Sequence, residues 1–256
     1  MNPELKLGYN SISKDYNNRY KFNELPGIYN SLKKIIAENN YKIILEVGCG
    51  TGHWLNKIQD KKNRKIFACD ISTGMLKEAL KTTADNHLFC ADANRLPLFK
   101  SKFDLIFCVN ALHLFDDKRA FISDAKKLLS PNGSLCIYGI DPRFRDDRWY
   151  LYDFFEGCYK NDLLRFPSFE NIREYFNQAG FDNTQFEIVE KIHTVRTAEN
   201  VLDDPFLQKG GSSQLLMLSE NNYKKGIEKI HSAIKNKSAK TFVSKFTFSL
   251  ISGKNI

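Results

Sequence analysis

A short apolar run, Lys42–Val47 (KIILEV), leads directly into Glu46-Val47-Gly48-Cys49-Gly50-Thr51-Gly52. Glycines at alternate positions allow a turn whose backbone approaches a ligand closely, and a helix that follows it offers free N–H groups. A dinucleotide fingerprint would need another glycine where this chain has His53, so the spacing is Glu-x-Gly-x-Gly-x-Gly instead. Asp70 stands twenty residues after Gly50, at the end of the next apolar run, Lys65–Cys69 (KIFAC). A carboxylate there is placed to accept hydrogen bonds from a ribose diol. Other reactive side chains are less organised. The six cysteines, at 49, 69, 90, 108, 136 and 158, form no CxxC pair, and no histidine is placed to complete a zinc site. They read as buried reduced thiols, and neither a metal centre nor a disulfide framework is expected.

The elements that must position these residues alternate. After the first two runs come His87–Ala91, Phe103–Val109 and Gly133–Ile140, each short and almost continuously apolar, as strands covered on both faces are. Between them lie helical patterns. Ser72 or Thr73 can cap a helix through Lys81, and Asp117 can cap Lys118–Leu129. This alternation specifies an open α/β sheet with right-handed crossovers. Beyond Ile140 the pattern changes. Asp141–Pro167 is rich in aromatics and charge, Ser168–Ala179 reads as a helix ended by Gly180, Phe186–Val189 as a strand, and Thr241–Ser252 as a closing strand.

Composition limits the function classes. The chain has 256 residues, 42% hydrophobic and 27% charged, with 20 Phe, 11 Tyr and 2 Trp, enough bulky apolar surface to exclude a disordered chain. No apolar run approaches the roughly 18 residues of a membrane span. The polar start, MNPELKLGYNSISKDY, is not a secretory signal, so a cytoplasmic protein is expected. Net charge is +8 and unevenly spread: residues 1–140 carry 21 Lys+Arg against 14 Asp+Glu (+7), and residues 141–256 carry 17 against 16 (+1). Lys57, Lys61, Lys62, Arg64 and Lys65 are the densest basic stretch. They are a solvated helix end or, alternatively, a docking patch for an acidic partner.

Taken together, EVGCGTG, ACDIS, CADANRLPL, FDLIFCVNALHLF and LLSPNGSLCIYG occur in an order that resembles the core of the class I S-adenosylmethionine-dependent methyltransferases, of the small-molecule type. The resemblance covers about 100 residues, 41–140. It implies a Rossmann-like seven-stranded sheet in the order 3-2-1-4-5-7-6 with helical cap insertions. The expected organisation is one domain: an N-terminal cap over 1–40, a cofactor-binding core over 41–140, and cap or lid insertions at 141–167 and 193–240. By position, the resemblance implies that Gly48, Cys49, Gly50 and Gly52 pack on the methionine part of S-adenosylmethionine, with Glu46 bracing the loop. Asp70 would hold the ribose, Ile71 and Met75 would flank the adenine, and Asp92 with Ala93 would meet its amino edge. Asn110, Ala111 and His113 would border the transferable methyl. His113 is the candidate general base, on the strength of an ordinary imidazole pKa near 6.5. Tyr9, Tyr16, Tyr20 and Arg19 would fold over the cofactor, and Tyr16, Tyr20, Trp149 and Tyr152 would meet the acceptor. The expected partner is a small-molecule acceptor, with no metal and no membrane span. An RNA (tRNA) methyltransferase docking through the basic first half, or a non-catalytic cofactor-binding protein, are the alternatives.

Overall fold

The apolar runs pair because each carries bulky residues to both faces of one sheet. The computed structural model describes residues 3–21, 23–58, 64–83, 87–97 and 100–256. Strands β1 (Ile43–Val47), β2 (Lys65–Asp70), β3 (His87–Cys90), β4 (Phe103–Val109) and β5 (Leu129–Gly139) run parallel to one another. They are joined by β6 (Arg148–Trp149), β7 (Asp182–Thr197) and β8 (Thr241–Lys254). The sheet runs β3-β2-β1-β4-β5-β8, with β7 along the far side of β8 and the two-residue β6 beside the start of β8. With β6 set aside, this is the expected seven-strand order, its last strand antiparallel.

Helices cover both faces. On one, Phe121 and Ile122 of α5 (Lys118–Leu128) and Phe176 of α8 (Phe169–Gln178) pack on Leu45, Ile106 and Leu135. On the other, Leu32 of α2 (Pro26–Glu38) and Trp54 and Leu55 of α3 (His53–Ile58) pack on Ile44, Leu105 and Phe107. Ile44 and Leu45 are adjacent and face opposite ways, the period of two that a pleated strand imposes. Local signals set the helix ends. Ser72 accepts from Met75 N (3.1 Å) to start α4 (Thr73–Leu80), Asp117 from Ala120 N (2.8 Å), and Ser168 from Asn171 N (3.1 Å).

Two departures from the sequence reading matter for the site. First, β7 runs for 16 residues and not only over 186–189, so the second insertion begins after Thr197 and not at 193. Its later half is mostly polar and exposed on alternate residues. It is held as strand by pairing with β8 along its length, from Lys191↔Thr247 to Thr197↔Thr241. Second, the two insertions form one apolar cluster of their own. Residues 141–167 supply Tyr150 and Leu151 of α6 (Tyr150–Phe154), Phe155, and Cys158 of α7 (Cys158–Arg165). Residues 198–240 supply Leu215 of α9 (Ser213–Leu216) and Ile230 of α10 (Glu220–Lys235). The N-terminal segment, α1 (Pro3–Ile12) and a 3-10 turn at Tyr16–Lys21, is wedged between this cap and the sheet. Asn10 Oδ1 accepts from Ser72 Oγ (2.7 Å) and Gly74 N (2.9 Å) on the sheet side, and Arg19 Nη2 donates to Gly211 O (2.9 Å) on the cap side.

All six cysteines are free, and five are buried, Cys90 alone being exposed. Lys61 and Lys62 of the basic stretch lie outside the described residues. Among the described residues, no helix is long and apolar enough to cross a membrane, and no three His, Cys, Asp or Glu side chains are grouped to hold a metal ion.

Candidate active site

The turn after β1 is built on backbone conformations that side chains resist. Gly48, Gly50 and Gly52 have φ of 77°, 54° and 77°. A Cβ on Gly48 would sit 2.6 Å from the Cβ of Ala111, so the turn can close on the segment after β4 only because none is there. Asp70, at the end of β2, holds the turn from the other side. Its Oδ2 accepts from Gly50 N (2.9 Å) and its Oδ1 from Ser72 N (2.8 Å). Burial pushes this carboxyl up, opposed by those N–H donors. Each oxygen still has acceptor capacity for a ligand hydroxyl.

Glu46 does not brace the loop, contrary to the sequence reading. It is fully buried, and neither carboxylate oxygen has a hydrogen-bond partner. Burial, with the Asp70 charge nearby, pushes its carboxyl well above the usual range. An unpartnered buried acceptor costs about 1–3 kcal/mol, more if charged. Glu46 is therefore a group that an ammonium or N–H donor from a ligand would satisfy.

A cleft runs along this turn. One part lies between Gly48–Thr51, Asp70 and Met75, with Tyr9, Tyr16 and Tyr20 closing it from the N-terminal segment. The other lies between Ile71, Asp92, Ala93 and Phe115. Asp92 Oδ1 accepts from Asn94 N (2.9 Å). Asn110, at the end of β4, takes φ of 50°, uncommon for a residue with a side chain, and donates its N–H to Tyr138 O (2.8 Å). Cys49 also lines the cleft, but burial holds its thiol well above its ordinary value and so unreactive.

Beyond Tyr9, Tyr16, Tyr20 and Asn110, which border both spaces, lies a second cavity of about 150 Å³. One wall is a single face of the β7–β8 hairpin. Ile192, Thr194 and Arg196 alternate along β7, and Ser244, Phe246 and Phe248 along β8, with Ile192 paired to Phe246 and Thr194 to Ser244. Strand β6 brings Trp149 to the same wall, edge-on to Phe246 and Phe206. Its neighbour Tyr152 does not line the cavity. The Tyr152 hydroxyl donates to Asp162 Oδ2 (2.7 Å), so this residue supports the cap and the expectation of acceptor contact is withdrawn.

His113 lines the cavity, stacked on Phe166 with ring centroids 4.0 Å apart. Burial, reinforced by the positive Arg165 and Lys118, lowers its pKa well below the ordinary imidazole value. The imidazole is therefore neutral at neutral pH and a weaker base than the sequence reading assumed. Tyr16 has one face covered by the Arg19 guanidinium (3.6 Å to the ring centroid), and Tyr20 has one face stacked on His53 (3.5 Å).

Sequence reasoning missed the cavity's charged frame. Arg196 Nε donates to Asp204 Oδ2 (2.8 Å), which also accepts from the Tyr150 hydroxyl (2.9 Å). Behind Ser213, Arg165 pairs with Asp162 (2.7 Å) and donates to Ser213 Oγ (2.8 Å). Nothing local marks Arg165, whose partner Ser213 is 48 residues away. A wider surface groove along α10, bordered by Lys225, Glu228 and Lys229, lies apart from the glycine turn.

Comparison with known proteins agrees with this geometry. A family described as "Methyltransferase domain" matches residues 44–133. The malonyl-[acyl-carrier protein] O-methyltransferase of Hahella chejuensis is 33% identical over 109 residues, 41% of this chain and 39% of that protein. The tRNA U34 carboxymethyltransferase of Campylobacter lari is 23% identical, over 72% of this chain and 66% of that protein. A crystal structure of a SAM-dependent methyltransferase from Thermotoga maritima superposes with a TM-score of 0.60 at 18% identity, over 97% of this chain and 99% of the other. The matches to the first four similar proteins span only 21% to 39% of their lengths.

Proposed function

With a methyltransferase domain at residues 44–133 on the class I sheet, we propose that this chain is an S-adenosylmethionine-dependent methyltransferase whose acceptor is a small molecule held in the cavity beside the cleft. The observation that carries the reading is the unpartnered, buried Glu46 carboxyl next to a turn that Asp70 holds and whose positive-φ positions are all glycine.

The residues present suit that cofactor. Glu46 is an acceptor for an ammonium group, Gly48 to Gly52 admit close approach, and Asp70 keeps lone pairs for ribose hydroxyls. Ile71 and Met75 offer apolar surface to an adenine, with Asp92 as an acceptor and Ala93 beside it. S-adenosylmethionine would supply an electrophilic methyl group on a sulfonium centre. The chain's own task is to align an acceptor with that methyl and exclude water. Tyr9, Tyr16 and Tyr20 stand at the junction of cleft and cavity, where aromatic faces attract a sulfonium. The insertions serve as a lid, Trp149 and Phe206 shutting water from the cavity. His113 is neutral and accepts a proton weakly, so it suits an acceptor that gives up its proton easily or has none to lose.

Calorimetry without added metal tests this reading. S-adenosylmethionine or S-adenosylhomocysteine should bind, and binding of neither, with NADH binding instead, would overturn it. One observation favours tRNA as the acceptor: the Campylobacter lari relative matches 72% of this chain. Steep salt dependence of tRNA binding would favour that alternative. Cofactor binding without turnover across a broad acceptor panel would favour a non-catalytic role.

A further inference from the structure

The charges around the second cavity do not cancel. Arg196 is offset by Asp204, and Arg165, one layer back, by Asp162. Arg19 has no such partner. Its Nη2 is taken by the neutral Gly211 carbonyl, its Nε is buried without an acceptor, and no carboxylate among the described residues pairs with it. Its plane is fixed against the Tyr16 ring, which immobilises the guanidinium before any ligand arrives. Arg165 is compensated in charge by Asp162, though its Nη1 is likewise buried without an acceptor. Asp204 is the only acidic side chain among the cavity's lining residues, and both its oxygens already accept, from Phe206 N (3.0 Å) and from Arg196 and Tyr150.

A guanidinium with no carboxylate partner, its Nε buried at the wall of a cavity, is costly unless a ligand neutralises it. We infer that the molecule seated in this cavity carries an anionic oxygen group, a carboxylate or phosphate, held by Arg19. The inference rests on reading the cavity as the acceptor site and names the chemical class it selects. A guanidinium keeps its charge at any working pH, and its planar fork matches two oxygens of such a group. Trp149, Phe166, Phe206 and Phe246 also line the cavity and offer surface for an apolar or aromatic portion of the same molecule, beside polar side chains such as Gln214 and Ser244. A cavity of about 150 Å³ is of the size that takes up a benzene ring.

The test uses benzoate against benzamide, and phenyl phosphate against phenol, titrated into the full chain with and without saturating S-adenosylhomocysteine. At least one anion is expected to bind tenfold or more tightly than its neutral counterpart. The benzoate to benzamide ratio should be unchanged between pH 6.5 and 8.5, because benzoate stays fully ionised there; phenyl phosphate, whose second proton leaves at about pH 6, is compared at pH 8.5. The stronger arm identifies the group as carboxylate or phosphate. Arg19→Gln should bring the ratio near one, and Arg19→Lys, which keeps the charge but not the fork, should retain part of it. Neutral analogues binding as tightly as the anions, or no anion binding at all, would overturn the inference. So would an Arg19→Gln variant that loses S-adenosylhomocysteine affinity yet keeps the anion preference, since Arg19 would then serve the cofactor. Anion preference in a protein that binds no S-adenosylhomocysteine would leave this site standing and remove the methyl-transfer reading instead.

Discussion

Replacing Glu46 by Gln separates a ligand-binding charge from the stability of the fold. In the folded chain this carboxyl is fully buried without partners, and its pKa is raised well above the usual value by burial first and by Asp70 second. Below the unfolded-state value, about 4.3, both states hold the proton and the group costs nothing through ionisation. As pH rises past that value, the unfolded chain ionises while the folded chain resists. Stability then falls by about 1.4 kcal/mol per pH unit until the raised folded value is reached. Gln has the same shape and no charge to lose. Its own unsatisfied amide contributes equally at every pH and drops out of the pH difference. Between pH 5 and pH 7 the stability gap should widen in favour of Glu46→Gln by up to about 3 kcal/mol. For a chain of this size that is roughly 6–12 °C in melting temperature. Thermal melts of both proteins across this range measure it. Saturating S-adenosylhomocysteine should narrow the gap, because its ammonium would compensate the wild-type carboxylate and not the amide. A gap that stays constant with pH, or that widens in favour of Glu, would refute the assignment of Glu46 as a buried charge awaiting a ligand.

Three further outcomes follow from the same geometry. Asp70→Asn and Asp70→Ala should both weaken S-adenosylhomocysteine binding, by roughly 1.5–3 kcal/mol, as charge-assisted bonds do. Asp70→Ala should also lower the melting temperature, and by more than Asp70→Asn, since alanine leaves both Gly50 N and Ser72 N without an acceptor whereas the amide leaves only one of them so. Unchanged affinity in both, by calorimetry, would mean the ribose is held elsewhere. Trp149→Ala should impair turnover with cofactor affinity intact. Tyr152→Phe, which removes only the bond to Asp162, should cost about 1 kcal/mol of stability and leave turnover as it was. The opposite pattern would put the acceptor on the far side of β6.

Much of the core was legible because its causes are local. Glycines at 48, 50 and 52 declare a turn, Ser72, Asp117 and Ser168 declare helix starts, and continuous apolar runs declare strands covered on both faces. Each signal acts within a few residues, so the order of elements and the glycine turn stood in the chain before any packing was known. The length of β7 was not visible in the same way. Its later half, residues 190–197, is mostly polar with no apolar alternation to mark a strand, and it is held by pairing with β8, which satisfies its backbone.

Tertiary structure alone decided the finer assignments. The family resemblance makes Glu46 the bracing residue, yet in the fold it is Asp70 that accepts from Gly50 N and Ser72 N, while Glu46 is buried without a hydrogen-bond partner. His113 has an ordinary pKa on paper. Burial beside Phe166, with Arg165 and Lys118 brought near by other elements, lowers it. Trp149 and Tyr152 are equivalent aromatics in sequence, but β6 directs one into the cavity and Asp162 draws the other away. The pairing of Arg165 with Asp162 and of Arg196 with Asp204, and the solitary state of Arg19, depend on three segments meeting. Composition and spacing fix which groups a chain possesses. Desolvation and charge compensation depend on what else arrives within a few ångströms, and here the groups arrive from residues 19, 165 and 196.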